Sequence, residues 1–139
     1  MKSMKLFLAV GAALLVTLGV GWGWGAWGKS DVNHAREVAE LRVGLLEGRA
    51  AVLDARLEIY SVNFGEASRH LEAARTSVRS AQAQLGALGR PDDAKRLEPA
   101  LTRIDEAQRM AGLLNQDANA LAADAAKTIG DVLGSVAQP

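Results

Sequence analysis

The chain has 139 residues, with sixteen basic and sixteen acidic side chains and no cysteine. Disulfides and thiol-held metals are therefore excluded. The even charge balance offers no basic face for a phosphate backbone, so nucleic acid is not an expected partner.

Leu6 to Gly28 is an uninterrupted apolar run, with no charge between Lys5 and Lys29. At 1.5 Å per residue a helix of this length reaches roughly 33 Å, enough to cross a bilayer core. A cleavable secretory signal is the competing reading, since Met1–Lys5 is a positive leader and Ala26-Trp27-Gly28 a possible small-x-small cleavage site. The run is much longer than the roughly 7–15 apolar residues of such signals, which favours an uncleaved signal anchor over 6–28. Lys2 and Lys5 crowd the short flank, whereas Asp31, Glu37 and Glu40 accompany Lys29, Arg36 and Arg42 on the other. Residues 1–5 are thus expected in the cytoplasm and the C-terminal domain in the periplasm, with a single pass through a bacterial inner membrane.

The outer end of the run alternates Trp22, Trp24 and Trp27 with Gly21, Gly23, Gly25 and Gly28. Indole rings suit the headgroup layer of the lipid bilayer, which accounts for the tryptophans. Gly21, Gly25 and Gly28 share one helical face, where another membrane helix can approach the backbone closely. Gly21, Trp22, Trp24, Gly25, Trp27 and Gly28 are therefore candidate interface residues.

Beyond the anchor, residues 29–134 make one domain, with 135–139 a tail. Composition there is rich in Ala, Leu, Arg and Glu, with Tyr60 and Phe64 as its aromatics, which favours helix throughout. Ser30 or Asp31 caps a first helix reaching about Val62. Two apolar seams run along it, each stepping alternately by four and three. One is Ala39, Val43, Leu46, Ala50, Leu53, Leu57, Tyr60, Phe64; the other is Val38, Leu41, Leu45, Gly48, Val52, Ala55, Ile59, Val62. A helix with two seams is expected to face more than one neighbour. Arg42, Arg49 and Arg56 repeat every seven residues, as do Glu40, Glu47 and Asp54. Such stripes are either the solvated border of a bundle helix or the charges that select a partner across an interface, so the three arginines are candidate interface residues.

Asn63-Phe64-Gly65-Glu66 is expected to break the helix, Asn and Gly supplying the turn. The second helix, with seam Ala67, Leu71, Ala74, Val78, Ala81, Leu85, Leu88, ends at Gly89-Arg90-Pro91-Asp92. A third segment starts near Asp92 and carries Pro99, which either separates a short first piece or kinks the helix. Its seam is Leu101, Ile104, Gln108, Ala111, Asn115, Ala118, Ala122, Ala125, Ile129, Val132, with Gln108 and Asn115 as polar register residues. No proline enforces a break over 112–117, so one long helix is favoured over two. The expected fold is all-α: one transmembrane helix, then an antiparallel three-helix bundle with heptad-type seams, or a four-helix bundle if that break occurs.

Ala55, Ala67, Leu71 and Ala74 around the first turn make the hairpin resemble one tetratricopeptide-type hairpin. Arg79 stands where that pattern closes with proline, and no second copy follows. His34 and His70 have no second histidine three or four residues away, no Glu-x-x-His occurs, and no nucleophile–base set assembles. No enzyme, metal or cofactor is expected. The expected role is an accessory scaffolding subunit among other membrane-protein subunits of a respiratory or photosynthetic type of assembly. A free-standing periplasmic sensor or adaptor and a homo-oligomeric coiled-coil spacer are the alternatives.

Overall fold

The structure, a computed structural model, describes residues 32–137. All its regular elements are helices: α1 (32–60), α2 (Phe64–Ala87), the short α3 (Pro91–Arg96), α4 (Glu98–Gly112) and α5 (Ala118–Val136). Among the described residues no helix is long and apolar enough to cross a membrane. The expected span over 6–28 lies outside the described residues.

Cross-helix contacts fix the directions. Gly48 of α1 meets Val78 of α2, Arg75 and Glu72 of α2 meet Asp105 and Gln108 of α4, and Arg49 and Arg56 of α1 meet Gly130 and Asn119 of α5. In the last two sets one number rises as the other falls, and a turn of three residues joins α1 to α2, so neighbours are antiparallel. The result is a four-helix bundle in ring order α1, α2, α4, α5, with α3 a corner between α2 and α4. Of the alternatives open from the sequence, four long helices replace three.

The core is a single cluster in which eleven of twenty-four buried residues are alanine. Small side chains at seam positions let the backbones approach closely. Gly48 carries this furthest: a Cβ there would sit 2.9 Å from Val78 Cγ2. The α2 seam from Ala67 to Leu85 is buried as its spacing predicts, with Leu88 half-buried. In α4 the buried stripe is Ala100, Ile104, Ala107, Ala111, so the predicted register drifts and Gln108 borders the core instead of entering it.

Three helix ends share one geometry. Val62, Gly89 and Leu114 adopt left-handed φ of 60°, 72° and 57°. The following N–H then returns to a carbonyl five residues back: Asn63 to Glu58 at 2.8 Å, Arg90 to Leu85 at 2.9 Å, Asn115 to Met110 at 3.0 Å. Glycine suits that conformation and Gly89 was legible for this reason, but at the other two ends a β-branched and a bulky residue adopt it. Two expectations are corrected here. Val62 makes the first turn, while Phe64 and Gly65 lie inside the first turn of α2. The helix expected to run through 112–117 is broken there without proline: Leu114 turns the chain, and Asn115 Oδ1 accepts the Asp117 N–H at 2.8 Å. Asn115 is thus a turn residue rather than a register residue.

Pro99 resolves the other way, falling in the first turn of α4, where its missing N–H costs nothing, so 91–96 is a separate piece. The predicted tail is shorter, because α5 runs on to a buried Val136. Polar contacts around Asp93 hold that end. Arg90 Nε and Arg96 Nη1 donate to the carboxylate at 2.8 and 2.9 Å, Ser135 Oγ lies 3.1 Å from Asp93 Oδ1, and Arg90 Nη2 donates to the Ser135 carbonyl at 3.0 Å. Burial pushes the Asp93 carboxyl up, but the Ser135 hydroxyl and the two guanidinium groups outweigh it and hold it below its ordinary value.

Candidate functional site

Among the described residues only one of the two α1 seams packs into the core. Leu41, Leu45, Gly48, Val52, Ala55 and Ile59 are buried against the bundle. The other seam faces outward: Ala39, Val43, Leu46, Ala50, Leu57 and Tyr60 are exposed and Leu53 is half-buried. Phe64, its last predicted member, is buried as the first residue of α2. The expectation that both seams pack is therefore corrected. α1 touches α2 and α5 with a single stripe because these flank it on the same side, which leaves Val43, Leu46, Ala50 and Leu57 exposed.

A second exposed apolar group lies at the bundle end that carries the α1–α2 and α4–α5 turns. Tyr60, Val62, Leu113 and Leu114 are 83, 61, 73 and 71 % exposed. Val62 and Leu114 are turned outward by their left-handed backbone, and Leu113 by its place at the C-cap of α4. Beside them a shallow groove of about 490 Å³ runs between α1 and the start of α5. Leu53, Leu57 and Tyr60 form its apolar wall, Gln116 and Asn119 its polar one, with Ile59 and Arg56 between.

The three candidate arginines differ in use. Arg42 is exposed. Arg49 lies along α5, where the absent side chain of Gly130 leaves room: a Cβ there would be 3.4 Å from Arg49 Nε. Arg56 is committed inside the molecule. Its Nε donates to Asn119 Oδ1 at 3.0 Å, and Asn119 Nδ2 donates back to the Arg56 carbonyl at 3.1 Å. This reciprocal pair pins α1 to α5, so Arg56 is a wall of the groove rather than an outward interface charge. Asn119 was not singled out from the sequence, because its partner is 63 residues away and no local pattern joins them. Leu113-Leu114 was missed too, although two leucines before Asn115 at the end of an apolar stripe could have marked it. Gly21, Trp22, Trp24, Gly25, Trp27 and Gly28 lie outside the described residues.

On the bundle flanks the charges make ion pairs between or along helices. Hydrogen bonds from Arg75 and Gln108 hold the Glu72 carboxyl below its ordinary value, and Arg75 also reaches Asp105 at 3.5 Å, joining α2 to α4. Lys127 and Asp131 pair at 2.8 Å along α5. Such exposed pairs are screened by solvent and contribute little to stability. Among the described residues no group of three or more acidic, histidine or cysteine side chains could hold a metal ion.

Comparison with protein-family models, curated proteins and solved structures finds no match to the chain. The surface features above thus carry the functional reading.

Proposed function

We propose that this protein is a non-catalytic scaffolding subunit, anchored by residues 6–28 and docking through its helical bundle on other subunits of a larger membrane complex. A respiratory or photosynthetic assembly is the kind of host we infer, with the bundle on the periplasmic side. The observation that carries the docking is the apolar bundle end. Four large hydrophobic side chains are exposed there, two of them, Val62 and Leu114, at turns whose backbone conformations favour glycine. Exposed apolar patches of this kind mark protein–protein contacts. The apolar run of the sequence supports the membrane setting.

Mild detergent extraction followed by native mass measurement tests this. The protein is expected to migrate with a large complex, and Leu113→Ser with Leu114→Ser is expected to release it while the helical circular dichroism is kept. A chain released from native membranes free of any other subunit would overturn the proposal. The groove beside Tyr60 favours a second reading, a sensor or adaptor holding a short apolar peptide, and that protein would be recovered without the complex.

A further inference from the structure

The outward seam of α1 is a coiled-coil seam in every position from Ala39 to Tyr60. With Val43, Ala50 and Leu57 as a positions, the d positions are Ala39, Leu46, Leu53 and Tyr60. The same register places Arg42, Arg49 and Arg56 at g, and Glu40, Glu47 and Asp54 at e. The bundle-facing stripe takes the c and f positions on the opposite side of the helix, so the a/d seam and both charged borders lie away from the core or at its edge.

The charge pattern decides what this seam fits. In a parallel pair of helices, a g side chain faces the e side chain five residues later in the partner helix. For two copies of this chain, Arg42 of each then meets Glu47 of the other, and Arg49 meets Asp54. A two-fold pair has four such attractive contacts. In the antiparallel pairing, g faces g and e faces e, so arginine meets arginine and carboxylate meets carboxylate. Glu47 and Asp54 are exposed, as are Arg42 and Arg49, so the four charges can be met by a partner. We propose that two copies of this chain associate through the outward face of α1, parallel and in register; this builds on the docking reading by naming the occupant of one face and leaves the apolar bundle end to a different subunit. The anchor proposed over residues 6–28 would place both copies in the same direction, as the parallel arrangement requires.

The natural chain lacks cysteine, so single substitutions report proximity directly. Full-length Val43→Cys and Leu57→Cys variants are oxidised mildly in membranes, with Ser80→Cys on the exposed face of α2 as the collision control. Parallel pairing brings each a position against itself, so both variants are expected to form covalent dimers well above the control. Antiparallel pairing sets a positions against d positions, so it would instead link Val43→Cys to Tyr60→Cys when the two are mixed. Arg42→Glu with Arg49→Glu is expected to lower the Val43→Cys dimer yield by about tenfold, because four attractive contacts become repulsive. Adding Glu47→Arg and Asp54→Arg is expected to restore it. Crosslinking no better than Ser80→Cys, a preference for the mixed pair, or insensitivity to charge reversal would each overturn the proposal. Co-migration with a large complex is read separately, so loss of the dimer with the complex intact sinks this inference alone.

Discussion

Gly48 is the position where one added carbon atom has the most definite consequence. It sits inside α1, where glycine costs about 1 kcal/mol relative to alanine, so Gly48→Ala gains that much in helix propensity. Against the gain stands the new Cβ at 2.9 Å from Val78 Cγ2, with Ser77 Cβ at 3.5 Å and the Val78 backbone nitrogen at 3.6 Å behind it. Valine has one preferred rotamer in a helix and cannot swing away, so the helices must separate locally, at a cost of about 1–3 kcal/mol. The net expectation is a destabilisation of about 1 kcal/mol. Val78→Ala alone removes two buried methyl groups and costs about 2 kcal/mol. In that background the space opposite Gly48 is open, and Gly48→Ala becomes stabilising by about 1 kcal/mol. The assay is thermal unfolding of the full chain in detergent, followed by the helical dichroism signal, for both single variants and the double variant. A difference of 1 kcal/mol moves the midpoint of a domain this size by roughly 4–8 °C. If Gly48→Ala raises the midpoint equally in both backgrounds, α1 and α2 do not touch at this residue and the close approach is wrong.

The helix ends give a matched test: Val62→Gly relieves a left-handed β-branched residue, offset by a looser unfolded chain, and is expected to stabilise by about 1 kcal/mol. Gly89→Ala at φ 72° is expected to destabilise by about the same amount, and thermal midpoints moving the other way would refute the shared cap geometry. Asn119→Ala removes both hydrogen bonds to Arg56 and is expected to cost about 1 kcal/mol in a denaturant titration, whereas Gln108→Ala on the exposed flank costs a few tenths. The Asp93 carboxyl is depressed in the folded chain, so its stabilisation is fully present above the unfolded value of about 3.9 and fades as pH falls through the lower folded value. Asp93→Asn should therefore be less stable than the natural chain near neutrality by about 1–2 kcal/mol, and the gap should begin to narrow only below about pH 4 and shrink further as pH falls. A gap independent of pH would show that the carboxylate is not the stabilising group.

What the sequence could convey depended on how local the cause was. The α2 seam and its stop at Gly89 and Pro91 were readable, because each rests on neighbours within two helical turns. The breaks at Val62 and Leu114 were not, since both place an apolar residue where glycine is the local signal, and the surrounding packing overrides that preference. The two α1 seams were visible as patterns of equal strength. Which of them is buried depends on where α2 and α5 come to lie, and no spacing within α1 contains that. For the same reason Arg56 looked like its heptad partners Arg42 and Arg49 until Asn119 was found opposite it.

The ring order of the helices also says how the bundle comes together. α1 with α2, and α4 with α5, are neighbours in the chain joined by turns of a few residues, and such local contacts form quickly, as the low contact order of helical bundles implies. The seam between α1 and α5 is different, because it closes the first long helix onto the last across 63 residues. Loop-closure entropy makes that contact the last to be rewarded. It belongs to the latch of the fold rather than to its nucleus: weakening it at Asn119 should speed unfolding while leaving the folding rate nearly unchanged.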